Sequence, residues 1–200
     1  MWHKKFKSLY QVRKKADLFT ASLLTFLVFT LICNPFYSCS NRTQRNIEVC
    51  FTPTSDCSQL VEKAISQAEH QILVQAYYFT SAPIAQALIK AYEKGVVVKI
   101  LVDRSQLTQK GTQLKRLLRK GISVLLDNVV GIAHNKVMVI DDLYVLTGSY
   151  NWTHGAEHKN AENLLLITDR ITNQAYKQNW EQRAQQGKPI SLSDIRVRTK

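Results

Sequence analysis

Between Gln71 and Leu126 the chain alternates strand-like apolar runs with stretches of helical periodicity, and that alternation limits it to a small set of folds. Gln71–Phe79, Val96–Val102 and Ile122–Leu126 are aliphatic and aromatic runs of strand length. Between them, Pro83 suits a first helical turn, and Ile84, Ala87, Leu88 and Ala91 form an apolar face that ends before Gly95. A basic helix over Thr112–Lys120 turns Leu114, Leu117 and Leu118 inward and stops at Gly121. Upstream, Ile47–Phe51 reads as a short strand ended by Thr52-Pro53, and Ser58–Glu69 as a helix. Strands joined through helices need crossover connections, so the expected class is α/β: a mixed sheet flanked by helices on both faces. The second half changes rhythm. Ala133–Ile140 and Leu143–Thr147 are apolar runs joined at Asp141-Asp142, which predicts an antiparallel pair, followed by a strand over Asn163–Thr168 and a helix over Ile171–Arg183.

With 45% hydrophobic and 21% charged residues the chain is neither disordered nor of low complexity. Its net charge of +12 is unevenly placed. The first 40 residues hold six basic groups against Asp17, and 183–200 hold five against Asp194, which leaves only +3 for 41–182. Within that region Lys110, Lys115, Arg116, Arg119 and Lys120 form one dense basic cluster. Leu18–Cys33 is an apolar block behind a basic stretch, the order of a signal peptide, although the block also suits a membrane anchor over 18–33. Residues 1–40 are therefore expected to be an export signal or anchor, 41–185 the exported domain, and 186–200 a basic tail. The expected location is periplasmic or secreted, or anchored with the domain outside the cytoplasm. Cys50 and Cys57 fall in the exported part, where they either close a short loop or remain two small hydrophobes.

If 134–140 is a strand, His134 and Lys136 project from one side, roughly 6.5–7 Å apart. Asp141 has the opposite parity and suits a turn-stabilising role better than chemistry. An extended Ser149–Asn151 adds Ser149 and Asn151 to the same sheet edge. Lysine, amide and hydroxyl donors neutralise phosphate oxygens, and an imidazole can attack phosphorus or donate a proton near neutral pH. Glu162 is a carboxylate able to hold that imidazole in one tautomer. By spacing alone a buried, satisfied core histidine competes with this reading.

His134-Asn135-Lys136 followed by Asp141 spells H-x-K-x4-D, and Gly148-Ser149-Tyr150-Asn151-Trp152 spells G-S-x-N-W. Together the two motifs resemble the phospholipase D superfamily over about residues 47–185, most closely its short bacterial members with one such motif per chain. The resemblance implies a phospholipase D-like α/β sandwich acting as a metal-independent phosphodiester hydrolase without cofactor. It implies His134 as nucleophile through a phosphohistidine, Lys136 and Asn151 as phosphate ligands and Ser149 as their assistant. It further implies Glu162 as the acid that orients the histidine and Asp141 as a structural member of the motif. In-line displacement needs a nucleophile on one side and a proton donor on the other, so one motif per chain implies a homodimer with the site at its interface.

Two substrates compete. A non-specific endonuclease would hold a polyanion through the 110–120 cluster and the basic tail, and this reading is preferred. A phospholipase D would meet a membrane and cleave a headgroup ester, which the apolar approach Ile132-Ala133 suits. A non-catalytic phosphate- or lipid-binding module is a third class, opposed by the completeness of His134, Lys136 and Asn151. His154-Gly155-Ala156-Glu157-His158 matches a zinc-peptidase pattern, but with a glycine inside and no third ligand no metal site is expected. Tyr77, Tyr78 and Phe79 could stack bases, yet a strand run of aromatics more often belongs to the core.

Overall fold

A computed structural model describes residues 46–128 and 131–196. The export or anchor segment expected over 1–40 and the end of the basic tail, 197–200, lie outside the described residues. The described residues form an eight-stranded sheet in the order β1 (Asn46–Thr52), β7 (Glu162–Thr168), β6 (Tyr144–Gly148), β5 (Lys136–Ile140), β2 (Gln71–Ala76), β3 (Val97–Val102), β4 (Ser123–Leu126), β8 (Lys188–Pro189). β2, β3 and β4 are parallel, as their helical crossovers require, and every other neighbour pair is antiparallel. The mixed sheet expected from the alternation is thus present.

Strand parity sorts the core into two layers. Ile72, Val74, Val98, Ile100, Met138 and Ile140 face one side, where they pack with the apolar stripes of α1 (Cys57–Ser66), α2 (Ala82–Glu93) and α3 (Leu114–Arg119). Leu73, Leu101, Val137 and Val139 face the other, where Trp180 of α5 (Arg170–Gln185) covers them. Trp180 is held there by its indole N–H, which donates to the Val74 carbonyl at 2.9 Å. Side-chain caps define the helix starts: Asp56 accepts from the Gln59 N–H, Ser81 from Ile84 and Asp169 from Thr172. Helices therefore cover both faces.

A disulfide joins Cys50 at the end of β1 to Cys57 at the start of α1, with the Cα atoms 5.7 Å apart. Of the alternatives left open by the sequence, the structure takes the closed loop. Among the described residues no helix is long and apolar enough to cross a membrane.

One boundary moves in a way that matters for the site. The strand expected from Ala133 begins only at Lys136. The Ala133 N–H is taken by the Asp103 carboxylate at 2.9 Å, and the His134 N–H turns back onto the Ile132 carbonyl at 3.1 Å, so neither joins the ladder. Only the Asn135 carbonyl, accepting from the Tyr77 N–H at 3.1 Å, continues the pairing with β2 outward.

Candidate active site

The sheet reverses its sense between β2 and β5, whose register sets Ala76 opposite Lys136. Crevices beyond the carboxyl ends of the parallel strands are where open α/β sheets bind ligands. His134 sits in the exposed segment just ahead of β5, and Lys136 is the first residue of that strand. Both line one cleft of about 530 Å³ with Ser149, Asn151 and Glu162. The five residues singled out in the sequence are therefore brought together, although His134 reaches the cleft from an irregular segment and not from a regular strand position.

Lys136 is only 6% exposed. Its ammonium donates to the His134 carbonyl at 2.6 Å and lies 4.9 Å from the centroid of the Tyr77 ring. Burial lowers its pKa below the ordinary lysine value, with the charge of Glu162 acting in the opposite direction. The same Tyr77 ring lies 4.5 Å from the His134 imidazole, tilted by 54°. Tyr77 is thus a wall of the site; the reading that left it with the core holds for Phe79, which is fully buried, but not for Tyr77. Its signal in the sequence was its place one residue past the end of β2.

β6 and β7 position the amide and hydroxyl. Ser149 Oγ accepts from the Asn163 N–H at 3.0 Å and from its side-chain amide at 3.3 Å, leaving the hydroxyl proton available to the cleft. The preceding Gly148 is required by close approach: a Cβ there would overlap the Asn163 carbonyl of β7. The Asn151 side-chain oxygen is buried without a hydrogen-bond partner among the described residues, an arrangement that needs a reason in a native structure. The partner this oxygen lacks is a donor, and the amide nitrogen of Asn151 is the group able to meet a phosphate oxygen in the cleft that the residue lines. Glu162 does not hydrogen-bond His134 here; its carboxylate accepts from the Asn160 amide at 2.9 Å.

Asp141 stands at the far end of β5. Its carboxylate accepts three backbone N–H bonds, from Glu69 at 2.9 Å and from His70 and Gln71 at 2.8 Å each. Burial alone would raise its pKa, but these bonds outweigh it and hold the carboxyl below the ordinary value. The residue also takes a left-handed backbone, φ 50°, which aspartate tolerates at a tight turn. Asp141 therefore clamps the entry to β2 onto the β5–β6 turn and makes no contact with the cleft. Asp141→Ala leaves three donors without their acceptor and should destabilise the fold by about 2–3 kcal/mol, read as a lower thermal midpoint. Because the folded pKa is depressed, this contribution is present above the unfolded carboxyl pKa and is lost as pH falls through the folded value. The midpoints of wild type and variant should accordingly converge in acid.

The H-x-x-E-H stretch forms a short helix, α4 (His154–His158), capped by Thr153, so the glycine does not prevent a helix. Glu157 nevertheless turns into the core, accepting from the Tyr150 hydroxyl at 2.6 Å and the Ser58 N–H at 2.9 Å. Burial followed by this bond pushes the Tyr150 pKa far up. The His154 and His158 rings meet at 59°, centroids 4.3 Å apart, without that carboxylate.

The profile of the family described as cardiolipin synthase, PLD-like domain matches residues 61–184, more than half of the chain. The chain belongs to the phospholipase D superfamily. Within this superfamily it is 46% identical over 145 residues to a phospholipase D of Rickettsia prowazekii, covering 72% of this chain and 71% of the relative. It is 33% identical over 125 residues to a mitochondrial cardiolipin hydrolase of Xenopus tropicalis, covering 62% of this chain and 60% of the relative. The solved structure of Nuc from Salmonella typhimurium, a phospholipase D family member, superposes with a TM-score of 0.70 at 32% identity, covering 74% of this chain and 99% of that one. The α/β fold and a phosphodiesterase-type activity follow from phospholipase D superfamily membership.

Proposed function

We propose that the protein is a phospholipase D that hydrolyses the headgroup phosphodiester of a phospholipid through a phosphohistidine on His134, in a site completed by a second copy of the chain. The observation that carries the choice of lipid over nucleic acid is that two cations of the basic cluster, Lys120 and Arg116, are engaged by neighbouring side chains. The endonuclease reading needs those cations at the site. Lys120 instead pairs with Glu93 at the C-terminal end of α2, the opposite end of the parallel strands from His134, about 20 Å away at the rise of a six-residue strand. Arg116 is likewise engaged, by the Gln86 side chain of α2. Two residues ahead of His134 stands Ile132, 62% exposed. Relatives 44–46% identical to this chain that are named phospholipase D support the same choice.

In this mechanism the His134 imidazole attacks phosphorus, a P–N bond forms and the P–O bond to the headgroup alcohol breaks. The leaving oxygen takes its proton from the second copy's imidazole, which then removes a proton from water as that water attacks the phosphohistidine and releases the phosphate monoester. Lys136, Ser149 and Asn151 donate to the phosphoryl oxygens, and Glu162 holds the imidazole once substrate draws the groups together. A second copy has a surface to meet. Ile47, Val49 and Phe51 on edge strand β1 are 54%, 49% and 56% exposed. Val49 registers with Leu165, and Leu165 with Thr147, which lines the catalytic cleft, so this apolar stripe runs up to the site.

Purified full-length protein tests the substrate, with EDTA present, on phosphatidylcholine vesicles and on plasmid DNA. Wild type should release headgroup and His134→Ala should not. DNA cleavage that exceeds lipid hydrolysis and is lost in His134→Ala would return the assignment to an endonuclease.

A further inference from the structure

Among the described residues the His134 imidazole has no hydrogen-bond partner, and Glu162, the carboxylate expected to orient it, is bound to Asn160. What touches the imidazole is the Tyr77 ring, with 4.5 Å between centroids. The Lys136 ammonium lies over the same ring, 4.9 Å from its centroid and within the range of a cation–π contact. We propose that Tyr77 is a positioning residue for the reaction, whose ring holds the nucleophile and the phosphate-binding ammonium together and favours the positive charge that each carries or gains. This inference rests on the reading of His134 as the nucleophile of a phospholipase D.

The ring is itself fixed. Ala76, the residue before it, pairs with Lys136 between β2 and β5, and the Tyr77 N–H donates to the Asn135 carbonyl at 3.1 Å, in the middle of the motif. Two residues further on, Phe79 is fully buried and its N–H donates to the Gln106 side-chain oxygen at 3.1 Å. Between these anchors the Tyr77 and Tyr78 ring centroids lie 4.2 Å apart, and the Tyr77 hydroxyl donates to the Tyr78 hydroxyl at 3.4 Å. That bond, followed by burial, raises the pKa of the Tyr77 hydroxyl above the ordinary tyrosine value, so the group stays neutral where an imidazole works.

The face of an aromatic ring is electronegative, whereas an aliphatic side chain offers a cation nothing comparable. As the P–N bond forms, the imidazole gains positive charge, and the Lys136 ammonium must keep its proton to meet the phosphoryl oxygens. One ring serves both needs. The other titratable groups lining the cleft are Glu162 of β7 and Tyr176 of α5, and the charge of Asp103 reaches the Tyr77 hydroxyl. Of these, Glu162 also favours the ammonium, so its effect adds to that of the ring.

Full-length wild type, Tyr77→Phe and Tyr77→Leu are compared on phosphatidylcholine vesicles and on plasmid DNA across pH. Tyr77→Leu keeps an apolar side chain but no ring, and its kcat on vesicles should fall about tenfold, the scale of a cation–π contact shielded from water. Removing a group that favours the ammonium lets Lys136 lose its proton sooner, so the alkaline limb of the Tyr77→Leu rate profile should move to lower pH. Tyr77→Phe keeps the ring and should hold most of the rate, with the limb in place. A fall in Tyr77→Leu with an unmoved limb would make Tyr77 a structural residue only, and an equal fall in Tyr77→Phe would assign the effect to the hydroxyl. Either result, or an undiminished rate in Tyr77→Leu, would overturn the positioning role and leave the phospholipase D reading standing. Cleavage of DNA alone by wild type would overturn the phospholipase D reading, and the order of the three proteins on DNA would then decide the role of the ring.

Discussion

His134→Ala should lower kcat at least about 10³-fold, the scale expected when a covalent nucleophile is removed and only binding groups remain. Stability should barely move, because the imidazole is exposed and its ring contact is with Tyr77 alone among the described residues. An unchanged thermal midpoint beside a lost rate separates chemistry from folding. The same variant also reports on the second copy. If each reaction needs two imidazoles, a mixed dimer of wild type and His134→Ala has one too few. When copies exchange freely, diluting wild type into an about tenfold excess of the variant should leave about a hundredth of the wild-type activity, against about a tenth if each chain works alone. Activity that falls linearly with the wild-type fraction would remove the second copy from the mechanism.

How far the site could be read in advance differs from residue to residue. His134, Lys136, Ser149 and Asn151 were legible because two short motifs carry them, and Glu162 because it is a carboxylate shortly after them in the place of the family's histidine-orienting acid; the cleft gathers all five. Their positions were inferred through strand parity, which succeeded for Asp141 and not for His134. Parity describes a regular ladder, and the ladder is interrupted at 133–134 by Asp103, a residue some thirty positions earlier whose carboxylate takes the Ala133 N–H. A side-chain acceptor capturing a backbone donor across that distance leaves no periodic trace in the sequence. Tyr77 was missed for a related reason. Its neighbours Phe79 and Ala76 are core, and only the end of β2, set by the register with Lys136, turns Tyr77 out over His134. The fold was more accessible, because alternating apolar runs and helical stripes are long, redundant signals, and their layers match the strand parities. The two-residue strand β8 was not anticipated, since Lys188–Pro189 pairs only through its contact with Leu125 and Leu126.

Lys136→Met is expected to cut kcat by about 10²–10³-fold, the scale for losing one preorganised charged donor at a developing anion, while raising stability by about 1 kcal/mol. The two signs follow from one fact. Lys136 is a buried cation with no carboxylate within ion-pair distance among the described residues, and burial disfavours its charged form. Its ammonium touches a carbonyl and a ring, with the Glu162 charge acting from beyond ion-pair distance, so an apolar side chain of similar length relieves the desolvation. What the charge lacks in the free protein, a phosphate in the cleft supplies. The depressed pKa adds a readout in wild type: as pH rises, Lys136 loses its proton earlier than an ordinary lysine, so the alkaline limb of the rate profile should lie below the usual lysine range. Glu162 opposes this depression. Glu162→Gln should therefore move the limb to still lower pH, apart from any fall in rate caused by the freed imidazole. A limb that stays in place in Glu162→Gln would assign it to a group other than Lys136.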